Sequence, residues 1–254
     1  MDQERLENIL TLIGEKIDKN ILINCLAEIK PTEEINIWVG ARPGRASKND
    51  FPQQPNTIRI DVSSGSMKKI DGLAMKAFSP LLLGPVYDTD NNKYVTFENL
   101  WQYNKVFPQL GHWDPINKEP TAKWYEWRKN GMSKLKNGKG IRTPDEITKL
   151  KKNGLNTKPI GAWWQNTLLG YIESRKIIYV PKYIEAIKQI QEYAVLRRIV
   201  DKGSKLLIIE LDGPPLDKFP NGMPVTRENI DNALHDEKYP YGHGYVIAEL
   251  LAEI

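Results

Sequence analysis

The run Leu206-Leu-Ile-Ile-Glu210-Leu211 constrains the fold of this chain most. It is short, almost wholly apolar and set between Gly203 and Gly213, as suits a buried strand. Two more segments, Ile35-Asn-Ile-Trp-Val39 and Thr57-Ile-Arg-Ile-Asp-Val62, alternate β-branched with polar residues and read as strands. Helical patterns dominate elsewhere. Leu6, Ile9, Leu10, Ile13 and Ile17 recur at helical spacing within residues 3–29. Residues 144–153, 161–175 and 181–201 have helical character, with Pro144 and Pro181 near their starts and Gly203 past the last end. Thr226 can cap a short helix to Leu234, and Gly244 precedes a C-terminal helix. The expectation is an α+β fold: a mostly helical single domain spanning 1–254 around a small β-sheet. A helical extension (about 1–30) precedes the main body.

A chain of 254 residues fits one large domain, or one domain with an insertion. No run of eighteen apolar residues occurs, so no membrane-spanning helix is expected. The acidic N-terminus, Met-Asp-Gln-Glu-Arg, lacks the apolar core of a signal peptide. The lone Cys25, among Ile and Leu, fits a buried thiol in a reducing, cytoplasmic setting. His112, His235 and His243 are scattered, and no metal-ligand spacing occurs, so no metal or other cofactor is expected.

The net charge of +4 hides an asymmetry. Residues 118–158 carry twelve Lys or Arg against four Asp or Glu, a local balance of +8, and read as a basic insertion. Such a segment is either solvated surface or an electrostatic footprint for a polyanion such as nucleic acid. Two loops at expected strand ends, Gly40-Ala-Arg42-Pro-Gly44-Arg45 and Ser63-Ser-Gly65-Ser66, have the composition of a phosphate cradle or of ordinary turns.

The stretch Tyr94-Val-Thr-Phe-Glu98-Asn-Leu-Trp101-Gln102-Tyr-Asn-Lys105-Val-Phe107 is the most informative chemically. On a continuous helix Glu98, Trp101, Gln102 and Lys105 share one face, with Phe97, Leu100 and Val106 on the other. A carboxylate, an indole, an amide and an ammonium together can serve as base, stacking plate, orienting donor and anion clamp. The plainer reading is a solvent-facing stripe with Thr96 as N-cap and Glu98 in the first turn, where acids are favoured.

Phe78-Ser79-Pro80, Gly84-Pro85 and then Thr96, Glu98, Gln102 and Lys105 at ungapped spacing resemble the signature of the NADAR superfamily, which includes the YbiA-like N-glycosidases. The family pattern reads W-P-T-x-E-H-x-x-Q-A-x-K; here Val95 replaces its proline and Asn99 its histidine. A looser match follows in Leu206-Leu-Ile-Ile-Glu210-Leu-Asp212 and Gly242-His243-Gly244-Tyr245. There Tyr245 stands where the family has Asn, and the Trp-Gly pair is missing. The resemblance implies a NADAR-like domain that hydrolyses a ribose C1′–N bond in a phosphorylated ribosyl or ADP-ribosyl compound.

Such a reaction develops oxocarbenium character and needs a carboxylate near C1′ and a positioned water. Glu98 and Asp212 are the catalytic candidates. Trp101, Gln102, Lys105, Arg42, Arg45, Trp113, His243 and Gly244 are the substrate-binding candidates. For Trp113 with Asp114, a capped turn packing its indole is the plainer account, as an N-cap loop is for His243. Trp163-Trp164 reads as core. The competing function is a non-catalytic nucleic-acid-binding protein using residues 118–158. A small ribosyl substrate, with nucleic acid as the second partner class and no membrane, completes the expectation.

Overall fold

The computed structural model describes residues 37–42, 51–63 and 73–254. The expected N-terminal extension, Cys25 and Arg45 lie outside the described residues. The chain begins with strands β1 (Ile37–Ala41), β2 (Thr57–Asp61), β3 (Leu73–Ala74), β4 (Val86–Asp88) and β5 (Lys93–Val95), then helix α1 (Phe97–Tyr103). Strands β6 (Lys105–Val106), β7 (Trp113–Asp114) and β8 (Glu119–Pro120) lead to helices α2 (Ala122–Met132) and α3 (Asp145–Lys152). Strands β9 (Gly161–Trp164) and β10 (Thr167–Leu169) precede α4 (Tyr171–Ser174), a π-helical turn (Arg175–Tyr179) and α5 (Val180–Ile187). Last come α6 (Gln191–Asp201), β11 (Lys205–Glu210), β12 (Met223–Pro224), α7 (Arg227–His235) and α8 (His243–Ala252). Helices and several small sheets give an α+β protein.

The described residues form two compact units interleaved along the chain: those up to 79, with 187–233 and 239–254, form one, and residues 80–186 and 234–238 the other. The first holds a five-stranded sheet in the order β12-β1-β11-β2-β3. β11 is central and runs parallel to both β1 and β2, with Ile208 opposite Val39 and Ile60. Leu206, Leu207, Ile208 and Ile209 are fully buried, as expected for a parallel strand covered on both faces. Helix α8 packs against β1 and β11.

The second unit places α1 between aromatic neighbours. Phe97 makes edge contacts with Tyr179 and Tyr183, with ring centroids 5.2 and 5.3 Å apart. Helix α2 crosses α1 at Gly131, where a Cβ would lie 1.9 Å from Tyr103 Cε1, so only glycine fits. Arg128 of α2 is buried. It donates to Asp88 Oδ1 at 2.8 Å and, through Nε, to Asn104 Oδ1 at 2.8 Å.

Three boundaries differ from expectation. Residues 161–169 form the β9–β10 hairpin rather than a helix; Gln165 and Asn166 adopt φ of 46° and 60°, which turns the chain between Trp164 and Thr167. The stretch 181–201 is two helices, α5 and α6, and Pro181 falls just after the π-helical turn, where its missing N–H disturbs regular α-helical bonding. Helix α1 ends at Tyr103: Asn104 donates its side chain to Leu100 O at 2.8 Å, and Lys105 already pairs with Ala162 of β9. Lys105 and Val106 are therefore strand residues. Among the described residues no helix is long and apolar enough to cross a membrane.

Candidate functional site

Helix α1 presents its acid inward. Glu98 is 7% exposed and Asn99 fully buried, while Trp101 and Gln102 are half-buried, so the solvent-facing stripe is absent. Glu98 Oε1 accepts from Gln102 Nε2 at 2.8 Å, the i, i+4 contact the spacing predicts. Gln102 Oε1 in turn accepts from Lys105 Nζ at 2.8 Å. The amide is thus fixed at both ends, between a carboxylate and an ammonium. Lys105 reaches this chain from β6 rather than from a further helical turn, and its Nζ also lies 4.8 Å from the centre of the Trp101 ring.

Loss of water around the Lys105 ammonium lowers its pKa from 10.5 to about 8, and the Glu98 charge only partly opposes this. A group poised there carries a transferable proton near neutral pH. Trp101 meets Tyr179 edge-on at 5.0 Å, and the π-helical turn supplies that tyrosine.

The N-terminus of α1 is closed by the Lys-rich stretch. Gly140 lies so near that a Cβ there would stand 2.9 Å from Glu98 Cβ and 3.0 Å from Thr96 Oγ1. Thr96 occupies the N-cap position without making a side-chain cap, and its buried Oγ1 has no hydrogen-bond partner. Asn99 holds the stretch in place. Its Nδ2 donates to the carbonyls of Gly131, Met132 and Lys134 at 3.2, 3.2 and 2.6 Å, and its Oδ1 accepts from Ile141 N at 2.7 Å.

Trp113 packs edge-on to Trp163 at 6.2 Å, in a cluster with Trp124 and Val106. Asp114 accepts from the backbone of Ile116 and Asn117 and from the Asn117 amide; these bonds hold its carboxyl below the usual range. This is the capped-turn arrangement. Trp163 and Trp164 are buried.

The remaining candidates belong to the other unit and gather at the carboxyl ends of its parallel strands. Arg42 Nη1 donates to Ser63 Oγ at 2.5 Å and lies 3.7 Å from Asp61 Oδ2. Asp61 is fully buried; its Oδ1 accepts from Ser63 N and Oγ at 2.9 and 2.6 Å. Asp212 is exposed in the turn after β11.

The acid organising this end is Glu210, two residues earlier. Its Oε2 accepts from His243 Nδ1 at 2.6 Å and from Gly244 N at 2.9 Å; Oε1 accepts from Leu211 N and Asp212 N at 2.6 and 3.2 Å. His243 Nε2 lies 2.7 Å from Val62 O, so both ring nitrogens face acceptors and the ring is an imidazolium. His243 is raised above its usual pKa and Glu210 lowered; in each case the partner's charge and hydrogen bonds overcome desolvation. Gly244 is required here, since a Cβ would stand 2.7 Å from Glu210 Cβ. The sequence signal was a charged residue ending a buried apolar run, followed later by a histidine between two glycines.

No protein-family model matches the chain, and no curated protein or solved structure matches it significantly.

Proposed function

We propose that the chain is a NADAR-like N-glycosidase that hydrolyses a ribose C1′–N bond in a phosphorylated ribosyl or ADP-ribosyl substrate. The observation that carries this reading is the fixed Glu98–Gln102–Lys105 chain beside the Trp101 indole. The motif spacing supports it, because the same residues carry the family resemblance. In this reading the C1′–N bond breaks with its electron pair leaving on nitrogen. The Glu98 carboxylate stabilises the oxocarbenium and takes a proton from the water whose oxygen bonds to C1′. Lys105 gives a proton to the departing nitrogen, and solvent restores both groups. Gln102 keeps the carboxylate and ammonium in register, and Trp101 offers its ring to a base or the sugar face.

The test is incubation of the purified chain with nucleoside monophosphates, nicotinamide dinucleotides and ADP-ribosyl adducts of nucleobases, with chromatography of free base and reducing sugar. Paired release of both from at least one class is expected. Release from none of them removes the reading.

The same assay read against pH checks Lys105. With the ammonium as proton donor, the rate constant is level from neutral pH up to about pH 8 and falls about tenfold per unit above it, following the pKa of about 8. Lys105→Arg keeps the charge at every accessible pH and should abolish that alkaline limb. A limb that persists in the arginine variant assigns it to another group.

A further inference from the structure

We propose that the groove between β5, the loop 82–85 and the stretch 132–135 docks an acidic peptide segment with aliphatic anchor residues. The proposal does not rest on the Glu98 chemistry, although Thr96, the N-cap of α1, belongs to the lining. The groove encloses about 450 Å³, within the range of roughly 300–1,000 Å³ usual for ligand and side-chain pockets. Leu83, Val95 and Met132 form buried parts of its lining, while Leu82, Tyr94 and Leu135 stand 45%, 69% and 58% exposed. Three large apolar side chains gathered this way on one polar-rimmed surface mark an interaction site.

The walls are preformed. Asn99 holds the carbonyls of 131, 132 and 134, Lys136 and Lys139 exchange backbone hydrogen bonds at 2.9 and 3.1 Å, and Gly140 N donates to Leu81 O at 2.9 Å. Lys93 Nζ donates to Ser133 Oγ at 3.1 Å and so bridges two walls.

Charge selects the occupant. Residues 131–142 contain Lys134, Lys136, Lys139 and Arg142 and no Asp or Glu, and all four cations are exposed. An apolar trough beside such a rim complements aliphatic side chains flanked by carboxylates. A nucleic-acid strand fits less well. Base binding rests on stacking plates, and the one aromatic ring lining the groove, Tyr94, leans against Tyr87 at 5.3 Å and 59°. A lipid surface would meet protruding tips, whereas this feature is concave.

The probe is a short fluorescent peptide with leucines recurring every third or fourth position among glutamates and aspartates, titrated onto the full chain by anisotropy. Binding is expected. It should weaken about tenfold or more with Leu135→Ser or Tyr94→Ser, or when alanines replace the peptide leucines, as expected for anchor residues. It should weaken severalfold in the Lys134→Gln, Lys136→Gln, Lys139→Gln triple variant and with added salt. The substituted side chains are exposed, so unchanged melting temperatures confirm intact folding. Absence of binding at millimolar peptide overturns the proposal, as does an affinity indifferent to Leu135 and Tyr94. Tighter binding of single-stranded oligothymidylate or of phosphatidylserine vesicles, dependent on the same lysines, reassigns the surface and equally overturns it.

Discussion

Glu98→Gln is expected, under the proposed N-glycosidase reading, to lower turnover of a ribosyl N-glycoside by about a hundredfold or more while leaving the fold intact. The loss is on the scale of removing a positioned acid–base group. The side chain keeps its shape, and the surroundings decide how well it is tolerated. In the native chain Glu98 Oε1 accepts from Gln102 Nε2 at 2.8 Å. A glutamine at 98 can still present its amide oxygen to Gln102, so the Gln102–Lys105 contact survives. What disappears is the negative charge that, in the proposed mechanism, stabilises a cation or takes a proton from water. The substitution also removes the charge that partly sustains the Lys105 ammonium. The pKa of Lys105 therefore falls further, and under the proposed mechanism the alkaline fall of any residual activity begins at lower pH than in the native chain. Thermal melting and base release on one preparation separate the outcomes. Unchanged turnover with an unchanged melting temperature removes Glu98 from the mechanism.

The strands were legible because the physics behind them is local. Alternation marks Thr57–Asp61, and the apolar run marks the central strand β11, since a strand covered on both faces has no polar face to display. The contact between Glu98 and Gln102 was legible from spacing alone. Its extension to Lys105 was foreseen for the wrong geometric reason. Helix α1 stops at Tyr103, and tertiary pairing of β6 with β9 returns the ammonium to the same place.

Residues 161–169 show where periodicity misleads. Ala162, Trp163, Trp164, Leu168 and Leu169 are apolar at spacings that serve a helix or a hairpin. Two positive-φ residues, Gln165 and Asn166, decide between them, without the glycine that usually announces such a turn. Glu210 stayed hidden for a different reason. Its partner His243, and Val62, whose carbonyl faces the other nitrogen of that ring, are distant in sequence, and only the fold brings them to the end of the parallel sheet.

Glu210→Gln should destabilise its unit by about 3–5 kcal/mol, the usual cost of removing one partner from a buried ion pair. The native carboxylate accepts from His243, Gly244, Leu211 and Asp212, so it ties β11 to the first turn of α8, while the far nitrogen of His243 ties the same turn to the end of β2. In the variant the imidazolium loses its counter-charge, and the new amide can turn a donor toward the Gly244 N–H only at the loss of that bond. A second substitution, His243→Phe, removes the stranded cation. The double variant should therefore be less destabilised than the sum of the two single changes.

The pair also fixes a pH signature. His243 is raised from 6.5, so its contribution is complete below 6.5 and is lost as pH rises through the folded value. Glu210 is lowered from 4.5, so its contribution is complete above 4.5 and is lost as pH falls through the folded value. Both contributions are in place together between 4.5 and 6.5, and stability from this contact declines on either side. Denaturant unfolding of native and variant chains across that range reads both the size and the shape. A native profile no steeper than that of the double variant would mean that α8 is held by its apolar face alone.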